Sequence, residues 1–313
     1  MQSMRKKEMS VDIEAVSHSK RTLMTVFSET VKMGIVKSNT LAMVAGLTLA
    51  LYVYDINPLN KMLEIVCAIV GSFLIIGAAG AFNNLYDRDI DSIMERTKGR
   101  PTVVGEIPLK VVLWLGISMT ILGGVSLAIA SPMASFLGLL GLFLYIFPYT
   151  MWTKRRTVYN TEVGSISGAM PPLIGWAAIH PDIMHPAVLG LFVTMVIWQM
   201  PHFYAIAIRK HDDYKAANVP MLPVVKGTKR TYMQTNVYLF ALVLSSFLFQ
   251  SVSIVLTVIA LVLNMAWFIL SIYGYRKMGA EKWANVMFVF SIIHLTVLLV
   301  VVIAFSLIGV FFF

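Results

Sequence analysis

Most of the side chains in this chain that could do chemistry fall in two short polar stretches. The first reads Asn83-Asn84-Leu85-Tyr86-Asp87-Arg88-Asp89-Ile90-Asp91 and runs on through Arg96-Thr97 to Arg100-Pro101. The second reads Arg209-Lys210-His211-Asp212-Asp213-Tyr214 and runs on to Pro220-Met221-Leu222-Pro223. On an α-helix, residues four apart are displaced by only ~40° and ~6 Å. Asn83, Asp87 and Asp91 therefore line one stripe, and Asp89 points elsewhere. Carboxylates at that spacing repel each other, more so where water is scarce, and a bound cation would remove the repulsion. Hard oxygen donors with room for phosphate oxygens suit Mg²⁺ better than zinc or copper. In the second stretch Asp212 and Asp213 are adjacent, so only one can face a shared cavity. Ile208 stands four residues before Asp212, so that island has no matching carboxylate pair. The competing reading of the first island is a solvated helix end, with Arg88 and Arg96 as ion-pair partners.

Basic residues accompany both islands. Arg96, Arg100, Lys154, Arg155 and Arg209, with Asn160 one turn into the next apolar segment, are candidates to hold a diphosphate. Such a leaving group gains charge as its carbon–oxygen bond breaks, and fixed cations stabilise it. Each of these cations is also explained by membrane topology alone. His202 lies in Trp198-Gln199-Met200-Pro201-His202-Phe203. A titratable residue beside an intramembrane proline is a functional candidate: it can ligate a metal centre, bond a ligand carboxylate or move a proton. A satisfied structural imidazole is the plainer alternative. His180 and His185 read as loop residues, and the single Cys67 excludes an intramolecular disulfide and a cysteine-based metal site.

The elements that must position these residues are apolar helices. The chain is 58% hydrophobic and 13% charged, against roughly 25% charged for a soluble domain. Runs of about 20 apolar residues, each able to cross the bilayer as a helix, recur at roughly 35–54, 62–83, 109–130, 133–152, 159–179, 186–207, 232–250, 252–275 and 284–310. The expectation is an all-α polytopic membrane protein with nine transmembrane helices. Residues 1–30 read as a flexible cytoplasmic tail and 31–313 as one intramembrane domain. Of 25 lysines and arginines, only Lys61 falls outside one alternate set of loops. This positive-inside pattern puts the N-terminus and both polar islands on the cytoplasmic side of the cell membrane and the C-terminus outside. The net charge of +9 is thereby spent on topology, which argues against a nucleic-acid partner. Gly77, Ala81, Gly164, Ser165 and Gly168 allow close helix contact, and Pro171-Pro172 should kink or break the fifth span. Glu162 is almost alone as an acidic residue within a span, which disfavours a transporter with an intramembrane cation pathway.

At these residues the chain resembles the UbiA superfamily of intramembrane prenyltransferases, over roughly residues 30–310. The match rests on Asn83-x3-Asp87-x3-Asp91, Met94-x-Arg96-Thr97-x2-Arg100-Pro101, Lys154-Arg155-x-Thr157-x2-Asn160 and Gly168-Ala169-x-Pro171-Pro172. Trp198-Gln199-x-Pro201-His202-Phe203 and Asp212-Asp213-Tyr214-x2-Ala217-x2-Pro220-Met221-Leu222-Pro223 complete it, and the Arg96-Thr97-x2-Arg100-Pro101, Trp198-Gln199-x-Pro201-His202-Phe203 and Pro220-Met221-Leu222-Pro223 strings are similar to the haem branch of the superfamily. The resemblance implies a helical bundle around a central cavity and transfer of a farnesyl group from farnesyl diphosphate to a vinyl group of haem B. It implies Mg²⁺ on Asn83, Asp87, Asp91 and Asp212, with Asp213 as a further catalytic carboxylate. Haem, as substrate, would meet His202 and Trp198, and a haem A synthase is the expected recipient of product. A UbiA-type polyprenyltransferase acting on a quinone-precursor aromatic and a polytopic transporter are the alternatives. Where the family often has Lys-Pro before the first span, this chain has Lys32-Met33, a change expected to alter only the entry angle.

Overall fold

The computed structural model describes residues 21–312, and among them every regular element is helical. A short helix α1 (Leu23–Thr30) precedes α2 (Met33–Val53) and α3 (Met62–Tyr86). Two single turns, α4 (Arg88–Asp91) and α5 (Pro101–Val104), lie in the following loop. Next come α6 (Leu109–Ala130) and α7 (Pro132–Leu144), the latter continuing as a π-helical segment, Tyr145–Trp152. The rest is α8 (Asn160–Gly168), α9 (Met170–Ile179), α10 (Pro186–Arg209), α11 (His211–Ala216), α12 (Leu222–Ser245), α13 (Ile254–Met278) and α14 (Ala280–Phe312).

Several starts are written locally. Ser131 accepts from the Met133 amide with Pro132 in the first turn, Ser253 accepts from Val255, and Thr22 caps α1 by accepting from Thr25. Of the expected tail, residues 1–20 lie outside the described residues. Leu23–Thr30 is a helix held from both ends of its register: Val26 and Thr30 are buried, and the Asn84 amide donates to the Glu29 and Thr30 carbonyls. Packing against the first polar island thus orders a segment whose own composition reads as polar and mobile.

Eight helical segments among the described residues are long and apolar enough to cross a bilayer. The expected fifth crossing is two shorter helices instead, parted at Ala169. Pro171 and Pro172 lack the amides that would bond back across that point, and Gln199 donates to the Ser165 carbonyl just before it. The pair still joins the two ends of the bundle: Asn160 lies against the Pro220 carbonyl, and His180 stacks on Tyr54 at the far end of α2.

Backbones meet closely where α2 crosses α9. A Cβ on Gly46 would lie 2.0 Å from the Pro172 carbonyl oxygen, and one on Gly175 would lie 1.9 Å from that of Met43. Without such contact the helices would have little to hold them, because lipid is as apolar as the side chains. Trp176, Trp267 and Trp283 fill the interior. Outward-facing Leu113, Ile121, Val125, Val262, Ile269 and Val300 stay exposed, far more apolar surface than a soluble protein leaves bare. This is a multi-pass membrane protein.

Candidate active site

The acidic stripe forms although α3 stops at Tyr86. Asp87 sits at the junction with α4, yet its amide bonds the Asn83 carbonyl at 2.9 Å and the Asp91 amide bonds the Asp87 carbonyl at 2.8 Å. The four-residue register therefore continues through the junction. Asn83, Asp87 and Asp91 are 3%, 0% and 3% exposed, which removes the solvated helix end as an explanation for them.

Carboxylates buried this deeply need partners, and the partners here are cations. Lys154 pairs with Asp87, and Arg100 pairs with Asp91. Arg155 clasps Asp89 with two bonds of 2.6 and 2.7 Å and lies 3.5 Å from Asp87. The Asn83 amide donates to Asp87 at 2.8 Å and to Thr150 at 3.2 Å, and its oxygen accepts from Lys32. The Arg155 hydrogen bonds hold the Asp89 carboxyl below its usual range. Burial, followed by repulsion from Arg100 and Lys154, holds the Lys32 ammonium well below its ordinary value.

The second island reaches this site through an apolar staple. Ile90 and Met94 pack with Ala207, Tyr214, Ala217, Val219 and Met221, so the two islands share one small core. Polar contacts cross it: Asp213 accepts from the Glu95 amide at 3.1 Å, and Arg96 donates to the Tyr214 hydroxyl at 3.1 Å. Burial pushes the Tyr214 phenol upward.

Several expected residues are not brought together here. The Asp212 carboxyl is fully exposed and meets only the His211 ring, so it faces away from the stripe. The one-sided geometry of adjacent aspartates selects Asp213 for the inner face, and Asp213 is used on backbone. Asn160 donates to the Thr157 and Pro220 carbonyls and ties loops together. Arg209 bonds Asn285 and lies 4.2 Å over the Phe288 ring, beside His202. The His202 ring stacks on Trp198 with centroids 4.6 Å apart, and Nδ1 lies 2.7 Å from the Ser291 hydroxyl. Trp198 Nε1 donates to the Ser291 carbonyl at 3.2 Å.

A family model described as "UbiA prenyltransferase family" matches residues 39–293. The chain belongs to the UbiA prenyltransferase family. A protein named protoheme IX farnesyltransferase 1 from Bacillus cytotoxicus is 63% identical over 95% of this chain and 97% of its own length. The protein named protoheme IX farnesyltransferase from Shouchella clausii is 60% identical over 96% of each. Among solved structures, one concerning digeranylgeranylglyceryl phosphate synthase in membranes has a TM-score of 0.72 at 17% identity, covering 90% of this chain and 98% of that one. A UbiA homologue from Archaeoglobus fulgidus, bound to GPP and Mg²⁺, has a TM-score of 0.63 at 14% identity over 89% and 99%. These structural neighbours share the fold.

Against that UbiA frame, two features stand out that pattern reasoning missed. Lys32 is no minor entry residue. It adopts a left-handed conformation, φ 56°, between α1 and α2, and this turn sends its side chain to Asn83. A left-handed non-glycine residue costs roughly 1–2 kcal/mol, and methionine at 33 lifts the restriction a following proline would place on it. The second feature is the π-helical segment carrying Tyr145, Tyr149 and Thr150. Pro148 within it removes one amide donor, and the wider turn aims Thr150 at Asn83 and leads into Lys154 and Arg155. Only the proline was a visible signal. Lys32, which reaches Asn83, and Tyr145 and Tyr149 on the π-helical segment each keep some accessible surface.

Proposed function

We propose that this protein is a haem-modifying member of the family, transferring the farnesyl group of farnesyl diphosphate to a vinyl group of haem B. Water adds in the same reaction, giving haem O and diphosphate. The names of its 60–63% identical relatives supply the two substrates. The structural observation that carries the reading is the buried stripe of Asn83, Asp87 and Asp91 engaged by Lys32, Arg100 and Lys154.

The donor set fits Mg²⁺. Two carboxylates and one amide offer only hard oxygens, and the basic groups around them are numerous enough to be passed to an incoming phosphate. Asn83, Asp87 and Asp91 would hold the ion; exposed Asp212 is left out of the set. When bound, Mg²⁺ offsets charge that builds on the departing diphosphate. Lys154, Arg100 and Lys32, with Arg155 and Arg96 at the rim, bind the remaining phosphate oxygens. They strengthen their hold as the carbon–oxygen bond breaks and its electron pair leaves with oxygen. Tyr145 and Tyr149, on the π-helical segment, help keep water from the allylic cation. The vinyl π electrons form the new carbon–carbon bond. Water then captures the porphyrin side-chain cation and releases one proton.

Lys and Arg placement supports a site facing the cytoplasm and an external C-terminus in the cell membrane, and handover of product to a haem A synthase belongs to the same proposal. The test is mass spectrometry of haem extracted after incubating purified protein with haem B and farnesyl diphosphate, with Mg²⁺ or chelator. Mg²⁺-dependent conversion of one vinyl group into a hydroxyethylfarnesyl group, a mass gain of one farnesyl and one hydroxyl group, is expected. Unmodified haem together with prenylation of a hydroxybenzoate or dihydroxynaphthoate would overturn the haem assignment in favour of a quinone-type acceptor.

A further inference from the structure

The seam between α8 and α12 carries a basic pocket that the proposed reaction does not use. A groove of about 330 Å³ is lined there by Val158, Tyr159, Leu222, Lys226, Arg230 and Gln234. It lies at the same end of the bundle as the acidic stripe, since Val158 and Tyr159 follow shortly on Lys154-Arg155 and Asn160 lies against the Pro220 carbonyl. Its floor is apolar and separate from the staple between the islands: Leu222 packs with Met200 and Tyr204, and Val158 and Tyr238 close that cluster. Gly227, at φ 77° and ψ 165°, interrupts α12, a backbone state that suits glycine. A second helical run therefore starts at Thr228, and the positive end of its dipole falls between Lys226 and Arg230. Neither cation makes an ion pair or a side-chain hydrogen bond among the described residues. Gln234 gives its amide hydrogens to Glu162 Oε1 and to the Tyr204 hydroxyl, both at 3.1 Å. An amide has two such hydrogens, so Gln234 offers the groove only an acceptor oxygen, with the Glu162 carboxylate behind it. An anion is thereby kept at the level of Lys226 and Arg230, and the deeper part of the groove is left to something uncharged.

We infer that this groove holds the phosphate of an anionic phospholipid from the surrounding bilayer, with Lys226 and Arg230 as the groups that bind it. The walls that run from the groove toward the bilayer interior are apolar and exposed. On α12, Met233 and Val237 follow Arg230 by three and seven positions, which is one helical face, and they are 50% and 66% exposed. On α8, Ile166 follows Tyr159 by seven positions, and both are exposed. Acyl chains cover such walls, whereas a soluble phosphate compound leaves them bare. Tyr159 stands at the headgroup level, where aromatic side chains with one polar end collect. Membrane topology asks for positive charge at this end of the bundle, but not for two unpaired cations on one concavity. A lipid seated here straps α8 to α12 and so holds the first half of the divided span against the bundle.

The probes are dioleoylphosphatidylglycerol and dioleoylphosphatidylcholine, added in detergent to purified full-length protein and read by native mass spectrometry and by melting temperature. The parent should retain phosphatidylglycerol in preference to phosphatidylcholine and melt higher with it. Lys226→Gln combined with Arg230→Gln should weaken retention at least about tenfold, each basic residue at an anionic lipid surface being worth about fivefold, and should lose the difference in melting temperature. Lys226→Arg combined with Arg230→Lys should keep both. Lys110→Gln combined with Lys282→Gln removes the same charge from other exposed positions and should leave retention unchanged. Equal retention of the two lipids by the parent, or equal loss in the two glutamine pairs, would reduce these cations to general surface charge and overturn the site. sn-Glycerol 3-phosphate is the competitor without chains: displacement of the lipid by an equal concentration of it would put the affinity in the phosphate alone and overturn a lipid occupant. Farnesyl diphosphate should bind the Lys226→Gln, Arg230→Gln variant as it binds the parent. Joint loss of lipid and farnesyl diphosphate would assign both cations to the prenyl substrate and refute a separate lipid site.

Discussion

Replacing Asp87 by asparagine should move two properties in opposite directions. The side chain keeps its shape, and its amide oxygen can still accept from Lys154, but a fully buried negative charge is gone. Lys154, and Arg155 at 3.5 Å, are then left undercompensated. Unit charges about 4 Å apart attract by about 4 kcal/mol at an effective dielectric near 20, and losing one partner of a buried pair costs about 3–5 kcal/mol. An incoming diphosphate recovers that attraction, and it no longer has to displace a carboxylate or endure its repulsion. If only a third is recovered, about 1.4 kcal/mol, affinity rises tenfold. Metal-free farnesyl diphosphate, titrated by calorimetry in chelator, should therefore bind Asp87→Asn at least about tenfold more tightly than the parent. The melting temperature of the variant should be depressed without ligand and recovered with it. Haem turnover with Mg²⁺ should nonetheless fall by a hundredfold or more, because an oxygen donor of the stripe has lost its charge. Equal or weaker metal-free binding in the variant would refute the account of Lys154 and Arg155 as cations in waiting.

Lys32 gives a pH signature. Bound diphosphate returns its depressed pKa toward the ordinary 10.5, so the complex holds more proton than the free protein between those limits. Affinity should fall as pH rises through that interval; Lys32→Arg should flatten the curve and Lys32→Met should abolish its difference from a protein-independent baseline, both read by calorimetry in buffers of different ionisation heat. Gly175→Ala puts a methyl where only 1.9 Å separates it from a backbone oxygen, whereas a Cβ on Gly34 meets nothing within 4 Å. The first should cost about 3 kcal/mol or more and deplete monodisperse protein on gel filtration, and Gly34→Ala should leave it unchanged. Glu162 Oε1 accepts from Tyr204 at 2.6 Å, Gln234 at 3.1 Å and Tyr238 at 3.3 Å. Glu162→Ala should cost about 1–3 kcal/mol for each group left unpaired, and Glu162→Gln markedly less, measured by thermal unfolding in detergent.

The parts of the site that were legible in the chain are those governed by a helical period. Asn83, Asp87 and Asp91 could be placed on one stripe because the four-residue register survives the end of α3. Pro171-Pro172 marked a break, although it took the structure to show that the break divides a span into two short helices. What stayed hidden depends on backbone states that composition does not announce. A lysine in a left-handed turn looks like any other lysine before a span, and a π-helical stretch looks like apolar helix interrupted by Pro148. The neighbourhood of a residue in sequence also misled. Arg209 adjoins the second island, yet its helix turns it toward Asn285 and Phe288. Asp212 and Asp213 differ by one position, and the staple between Ile90, Met94 and Tyr214 decides which of them looks inward.

That staple explains why the polar islands need an apolar link at all. Charge alone would not bring them together, because each island carries both signs and water would satisfy most of it. Burying Ile90, Met94, Tyr214, Ala217, Val219 and Met221 in common supplies a non-directional attraction, about 25 cal/mol per Å² of apolar surface removed from water. The polar contacts that cross it, Glu95 to Asp213 and Arg96 to Tyr214, then fix the register. The consequence is a division of labour within one motif. Asn83, Asp87 and Asp91 lie buried on one stripe, while Ile90 and Met94, on the same short stretch, hold the first island to α11. Their burial, 6% and 1% exposed, makes them as necessary to the carboxylates' geometry as the lysine and arginines that pair with them.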